Sequence, residues 1–164
     1  MKHILSLIIA VLLATFTFGQ ETTGTAPYEQ SQTIPSINLL TTDSAWYNLR
    51  TNNVEKNVAV IYFSHDCKHC QSEAKEIAAN TDKLKDVQLL WISSMSSIDE
   101  IKDFRQQYGL TGSNITFLKD PNFSIALFYD VKTLPFIALY DKAGQTRKLY
   151  RKAVTAEGIL AAFQ

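Results

Sequence analysis

The 164-residue sequence has only two cysteines and three histidines, and no excess of either charge. Any thiol chemistry therefore rests on a single pair of residues. Sixteen Lys and Arg balance sixteen Asp and Glu, which gives no support for nucleic-acid binding or for a polybasic membrane surface. With His3 at the extreme amino terminus, only His65 and His69 remain to help hold a metal, a thin ligand set. Neither repeats nor low-complexity blocks are present. Long apolar runs are also scarce: the one at residues 4–18 falls short of the roughly 20 residues that span a bilayer.

That run follows the short basic start Met1-Lys2-His3, and Thr17-Phe18-Gly19 offers small residues for a cut. The pattern predicts a secretory signal peptide over residues 1–19 and a periplasmic or secreted protein, with a retained anchor as the rival. No cysteine lies near the junction to accept a lipid. Residues 20–33, rich in Thr, Gln, Glu and Ser, read as a flexible lead. Residues 34–164 hold the apolar material for one core, in a chain that is 46% hydrophobic and 20% charged.

The two cysteines form Cys67-Lys68-His69-Cys70. They stand directly after the apolar run Val58–Phe63 and before the helix-like run 71–80. A strand, a turn bearing two thiols and a helix form a redox arrangement. At such a turn the first thiol meets unpaired backbone N–H groups and the positive end of the helix dipole, which favour a thiolate. A structural disulfide is the plain alternative, but so small a ring constrains the unfolded chain little. Outside the cytoplasm, a dithiol also needs a redox partner to keep it reduced.

Hydrophobic period predicts strands at 37–40, 58–63, 87–92, 115–118, 136–140 and 146–151, with helices at 69–84, 97–108, 121–129 and after Thr155 to Phe163. Alternating strands and helices predict an α/β sandwich of three layers, a mostly parallel sheet with helices on both faces and an antiparallel edge hairpin across Gly144. The aromatics Phe104, Tyr108, Phe117, Phe123, Phe128, Phe136, Trp46 and Trp91 read as core.

Three segments carry a resemblance: Val58–Cys70, the stretch 129–135 ending in Leu134-Pro135, and the hairpin 141–145. Over residues 34–163 the chain resembles the thioredoxin superfamily, in particular its exported TlpA and ResA type thiol-disulfide oxidoreductases and the redoxin domains. The resemblance implies a thioredoxin-like mixed sheet, no cofactor, and protein thiols or disulfides as partners. It implies Cys67 as the nucleophile, Cys70 as the resolving thiol, and Pro135 as a cis proline that leaves the Leu134 backbone facing substrate. Lys68, His69 and Asp66 would tune the site or face the substrate.

Two positions depart from that family pattern. Asp66 replaces the tryptophan common before the first cysteine, and its own reading is a helix N-cap. Ile61 replaces a buried acid on the preceding strand, so another proton acceptor, His69 or water, is required. Direction is contested as well. His69 occupies the slot that carries histidine in the family's strong oxidants and tilts the site toward oxidant or isomerase, whereas the TlpA-like layout points to a reductase, the preferred reading. A Cu(I) or Zn(II) carrier and a non-catalytic scaffold are the remaining classes. A thiol peroxidase is weak, because Val60 and Ser64 stand where it needs proline and threonine.

Overall fold

The computed structural model describes residues 25–164. The expected signal peptide, its cut and the first residues of the lead lie outside these. From Thr25 on, the expected flexible lead has defined structure. Pro27–Gln30 form a helical turn (α1) that Pro27 starts, and Thr33 bridges Gln145. Tyr28 explains the ordering: it packs against the core of the domain, with its ring centroid 6.2 Å from that of Tyr129.

The strands are β1 (Asn38–Thr41), β2 (Trp46–Asn48), β3 (Asn57–Tyr62), β4 (Val87–Ser93), β5 (Ile115–Lys119), β6 (Phe136–Tyr140) and β7 (Thr146–Tyr150). The further helices are α2 (Lys68–Ala79), α3 (Ile98–Gln107), α4 (Ser124–Tyr129) and α5 (Ala156–Ala161). The strands form one mixed sheet in the order β2-β1-β5-β4-β3-β6-β7.

Central β3 and β4 are buried on both faces, which is why they read as near-continuous apolar runs, Val58–Tyr62 and Leu89–Ile92. Successive side chains of β3 alternate between two cores. Ala59, Ile61 and Phe63 join Leu89, Trp91, Ile77 of α2, Phe104 of α3 and Ile159 of α5. Val58, Val60 and Tyr62 join Leu90, Ile92, Leu118, Ile125 of α4 and Tyr140. The helices are held by local signals. Cys70, Ala74 and Ile77 give α2 its buried stripe. Ser97 and Glu100 close a capping box on α3, and Thr155 caps α5 through Gly158 N.

Several expectations need correction. The sheet is not mostly parallel: only β3–β4 and β4–β5 pair in parallel. The connection from β5 to β6 returns to the end of the sheet it left, so β6 runs antiparallel to β3. Strand β2 lies outside the expected strands: it is three residues long and is held by its pairing with β1. That edge position leaves Trp46 71% exposed rather than in the core, while Trp91 is fully buried. The helix expected from Pro121 starts at Ser124, because Phe123 adopts a left-handed backbone (φ 55°) and interrupts the turn. Phe123 is thereby 47% exposed, again not core.

Strands β3, β4 and β5 end at one edge of the sheet, where β6 begins. Their loops converge there with Leu134-Pro135, at the carboxyl ends of the parallel strands where α/β sheets place their sites.

Candidate functional site

Cys67 is the N-cap of α2, with an extended backbone (φ −73°, ψ 115°). Its sulfur accepts the N–H of Cys70 at 3.3 Å. This donor and the positive end of a twelve-residue helix are placed to accommodate charge on the sulfur during exchange. The same thiol donates to the carbonyl oxygen of Leu134 at 3.8 Å. The Leu134–Pro135 bond is cis. The side chain of Leu134 packs against both cores, and its backbone carbonyl borders the sulfur.

Cys70 lies inside the first turn of α2 and is fully buried. Burial pushes its thiol well above the ordinary range, and the neighbouring Cys67 and the charge of Glu73 push the same way. Both cysteines are free, so the geometry is that of a dithiol with one accessible and one shielded sulfur.

Asp66 is not the N-cap, because the sulfur of Cys67 takes that role. Exposed Asp66 instead accepts the hydroxyl of Ser64, which holds its carboxyl below the usual range. Lys68 and His69 are both exposed on the first turn of α2. His65, by contrast, is pinned. Its backbone N–H donates to Ser96 Oγ at 3.1 Å, and its Nδ1 lies 3.2 Å from the same oxygen. Nε2 stands 3.5 Å from Glu100 Oε1, and the carbonyl accepts from Gln71 Nε2 at 3.0 Å. The loop before Cys67 is thus fastened to the starts of both α2 and α3.

Ile61, at the position considered for an acid, is fully buried and apolar. Sequence reasoning missed that Glu73 on α2 supplies a buried acid instead. It lies three residues after Cys70, one turn on and on the same face of the helix. Glu73 is 1% exposed; its Oε2 accepts Val154 N at 2.8 Å, and Oε1 has no partner. Burial, with Glu76 adding repulsion, raises its carboxyl to about 7. Beside it opens a cleft of about 250 Å³ lined by Ser72, Glu73, Glu76, Ala153, Val154 and Thr155. The available signal was a charged residue on the apolar stripe Cys70, Ala74, Ile77.

Among the described residues no three His, Cys, Asp or Glu side chains gather into a metal set. No helix among them is long and apolar enough to cross a membrane.

The chain shares its fold with solved thioredoxin-like proteins at low identity. A secreted Mycobacterium tuberculosis disulfide oxidoreductase homologous to E. coli DsbE is 18% identical over 74% of this chain and 87% of that one, with a TM-score of 0.63. StoA from Bacillus subtilis is 17% identical over 78% and 98%, at 0.62. The exposed lipoprotein thioredoxin Etrx1 from Streptococcus pneumoniae is 24% identical over 77% and 96%, at 0.61. No curated protein matches the chain. The model of the AhpC/TSA family matches residues 31–154, which takes in both cysteines, Glu73 and the Leu134-Pro135 step, and the chain belongs to that family.

Proposed function

We propose that this chain is an extracytoplasmic thiol-disulfide oxidoreductase that exchanges disulfides with partner proteins through Cys67 and Cys70, and that it runs as a reductase. The observation that carries the reading is the inequality of the two thiols. One caps the helix at the surface beside Leu134 O, and the other is buried next to a carboxyl raised to about 7.

In the first step the thiolate of Cys67 attacks one sulfur of the partner's disulfide, and the second partner sulfur leaves as thiolate. In the second step Cys70 loses its proton and attacks Cys67 Sγ. The remaining partner sulfur leaves, and two electrons have passed to the partner. Burial opposes ionisation of Cys70, so this step needs a base. Glu73 is the buried group placed for it: half ionised near neutral pH, with one oxygen unpartnered. It fills the part considered for His69 or water.

Direction follows from which charges reach the sulfur. His69 and Lys68 are exposed, where water and salt screen them, so neither stabilises the reduced form enough to make a strong oxidant. The amino-terminal signal pattern supports export, and a separate reductant would then keep the pair reduced. A reduction potential measured against glutathione tests direction. The reading predicts a value below about −230 mV, on the thioredoxin side of the scale; one near −120 mV would make the protein an oxidant.

A further inference from the structure

Five large apolar side chains stand exposed among the described residues, and two of them, Met95 (52%) and Phe123 (47%), lie at the sheet end that carries Cys67. Met95 follows β4 and Phe123 follows β5. The strand order β6-β3-β4-β5 therefore sets the loops that carry Leu134, Cys67, Met95 and Phe123 in a row across this end of the sheet.

The row is rigidly built. The β3 loop is tied to the β4 loop by His65 N–H donating to Ser96 Oγ at 3.1 Å. Lys119 Nζ, at the end of β5, donates to the carbonyls of Ser94 and Ser96, both at 2.7 Å. Asp120, fully buried, accepts Ser94 Oγ at 3.0 Å, Asn122 N at 3.3 Å and Ile125 N at 2.9 Å. One carboxylate thus locks the Met95 loop to the Phe123 loop. Phe123 itself is held at φ 55°, a conformation costly for a residue with a side chain, and its ring is left toward solvent.

Resting on the exchange reading above, we propose that Met95 and Phe123 select the partner, by seating apolar side chains of an extended segment that flanks its reactive cysteine. The occupant follows from continuity with the thiol. A polypeptide cysteine brought to Cys67 must lay its neighbouring residues over the adjoining loops, and on this side those loops present Met95 and Phe123. Strands lie about 4.8 Å apart, so β5, whose loop carries Phe123, runs two spacings, roughly 10 Å, from the Cys67 strand, and a chain rising about 3.3 Å per residue crosses that span in about three residues.

The test uses the full chain and two matched disulfide peptides, the reactive cysteine flanked on both sides by leucines in one and by serines in the other. Wild type should prefer the leucine peptide by about tenfold in kcat/KM. The Met95→Gln/Phe123→Asn double variant should lose that preference; asparagine tolerates the left-handed backbone, and an unchanged melting curve shows the fold intact. A flat wild-type preference, an equal decline with both peptides, or an unaltered preference in the double variant would overturn the proposal. So would self-association that vanishes in the double variant while the preference persists. Reduction of a small aromatic disulfide by wild type, followed in parallel, separates the two levels: if it fails, the exchange reading fails with it; if it proceeds with no peptide preference, only the selective role of Met95 and Phe123 falls.

Discussion

Glu73 carries the least expected chemistry in the molecule. A carboxyl ordinarily near 4.5 is raised to about 7 by burial, so the folded protein binds more protons than the unfolded chain between these values. Its contribution to stability is full below pH 4.5 and is lost as pH rises through 7. Wild type should therefore lose about 2–3 kcal/mol relative to Glu73→Gln between pH 4.5 and 8, read by urea denaturation at a series of pH values. The same variant should slow release of partner from the mixed disulfide while sparing its formation. A parallel pH dependence in the two proteins would remove Glu73 from both roles. Beyond its place on the apolar stripe of α2, the sequence says little of this residue, because its meaning depends on depth. A glutamate one turn past a cysteine reads as a solvated helix residue until the Val154 loop closes over it. Cys67 and Cys70 needed no such closure, since their spacing and strand-to-helix setting already separate an exposed thiol from a shielded one.

At the scale of elements, α3 connects the capping chemistry to the site. Ser97 Oγ accepts Glu100 N at 3.2 Å, and Glu100 Oε2 accepts Ser97 N at 2.7 Å, which leaves Oε1 toward His65. Ser97→Ala should cost about 1 kcal/mol, visible as a lowered melting temperature; a loss within error would mean that the cap is not a determinant of this helix. Elements with strong local signals were legible. Strand β6 falls at residues 136–140 as expected, and α3 lies between its cap and Tyr108. What failed depended on distant partners. Strand β2 exists through pairing with β1, α1 through the seat of Tyr28 against Tyr129, and the parallel fraction of the sheet was misjudged because the β5–β6 connection reverses at one end. Trp46 and Phe123 show the same limit: hydrophobicity alone does not say which apolar side chain an edge or a left-handed residue leaves outside.

Across the whole molecule, two cores fix the two faces of one sheet and hold four loops at a single end. Phe63, the last core residue before the thiol loop, packs at ring-centroid distances of 4.8 Å from Phe104 and 5.4 Å from Trp91, so the loop springs from a rigid base. That frame places the two sulfurs unequally, and the inequality is the central claim. It is tested most directly by mixing Cys70→Ser and Cys67→Ser separately with a disulfide-bonded protein such as insulin and resolving the products without reductant. Cys70→Ser should accumulate a mixed disulfide through Cys67, and Cys67→Ser should accumulate none. Equal trapping by both variants, or trapping by Cys67→Ser alone, would contradict the account.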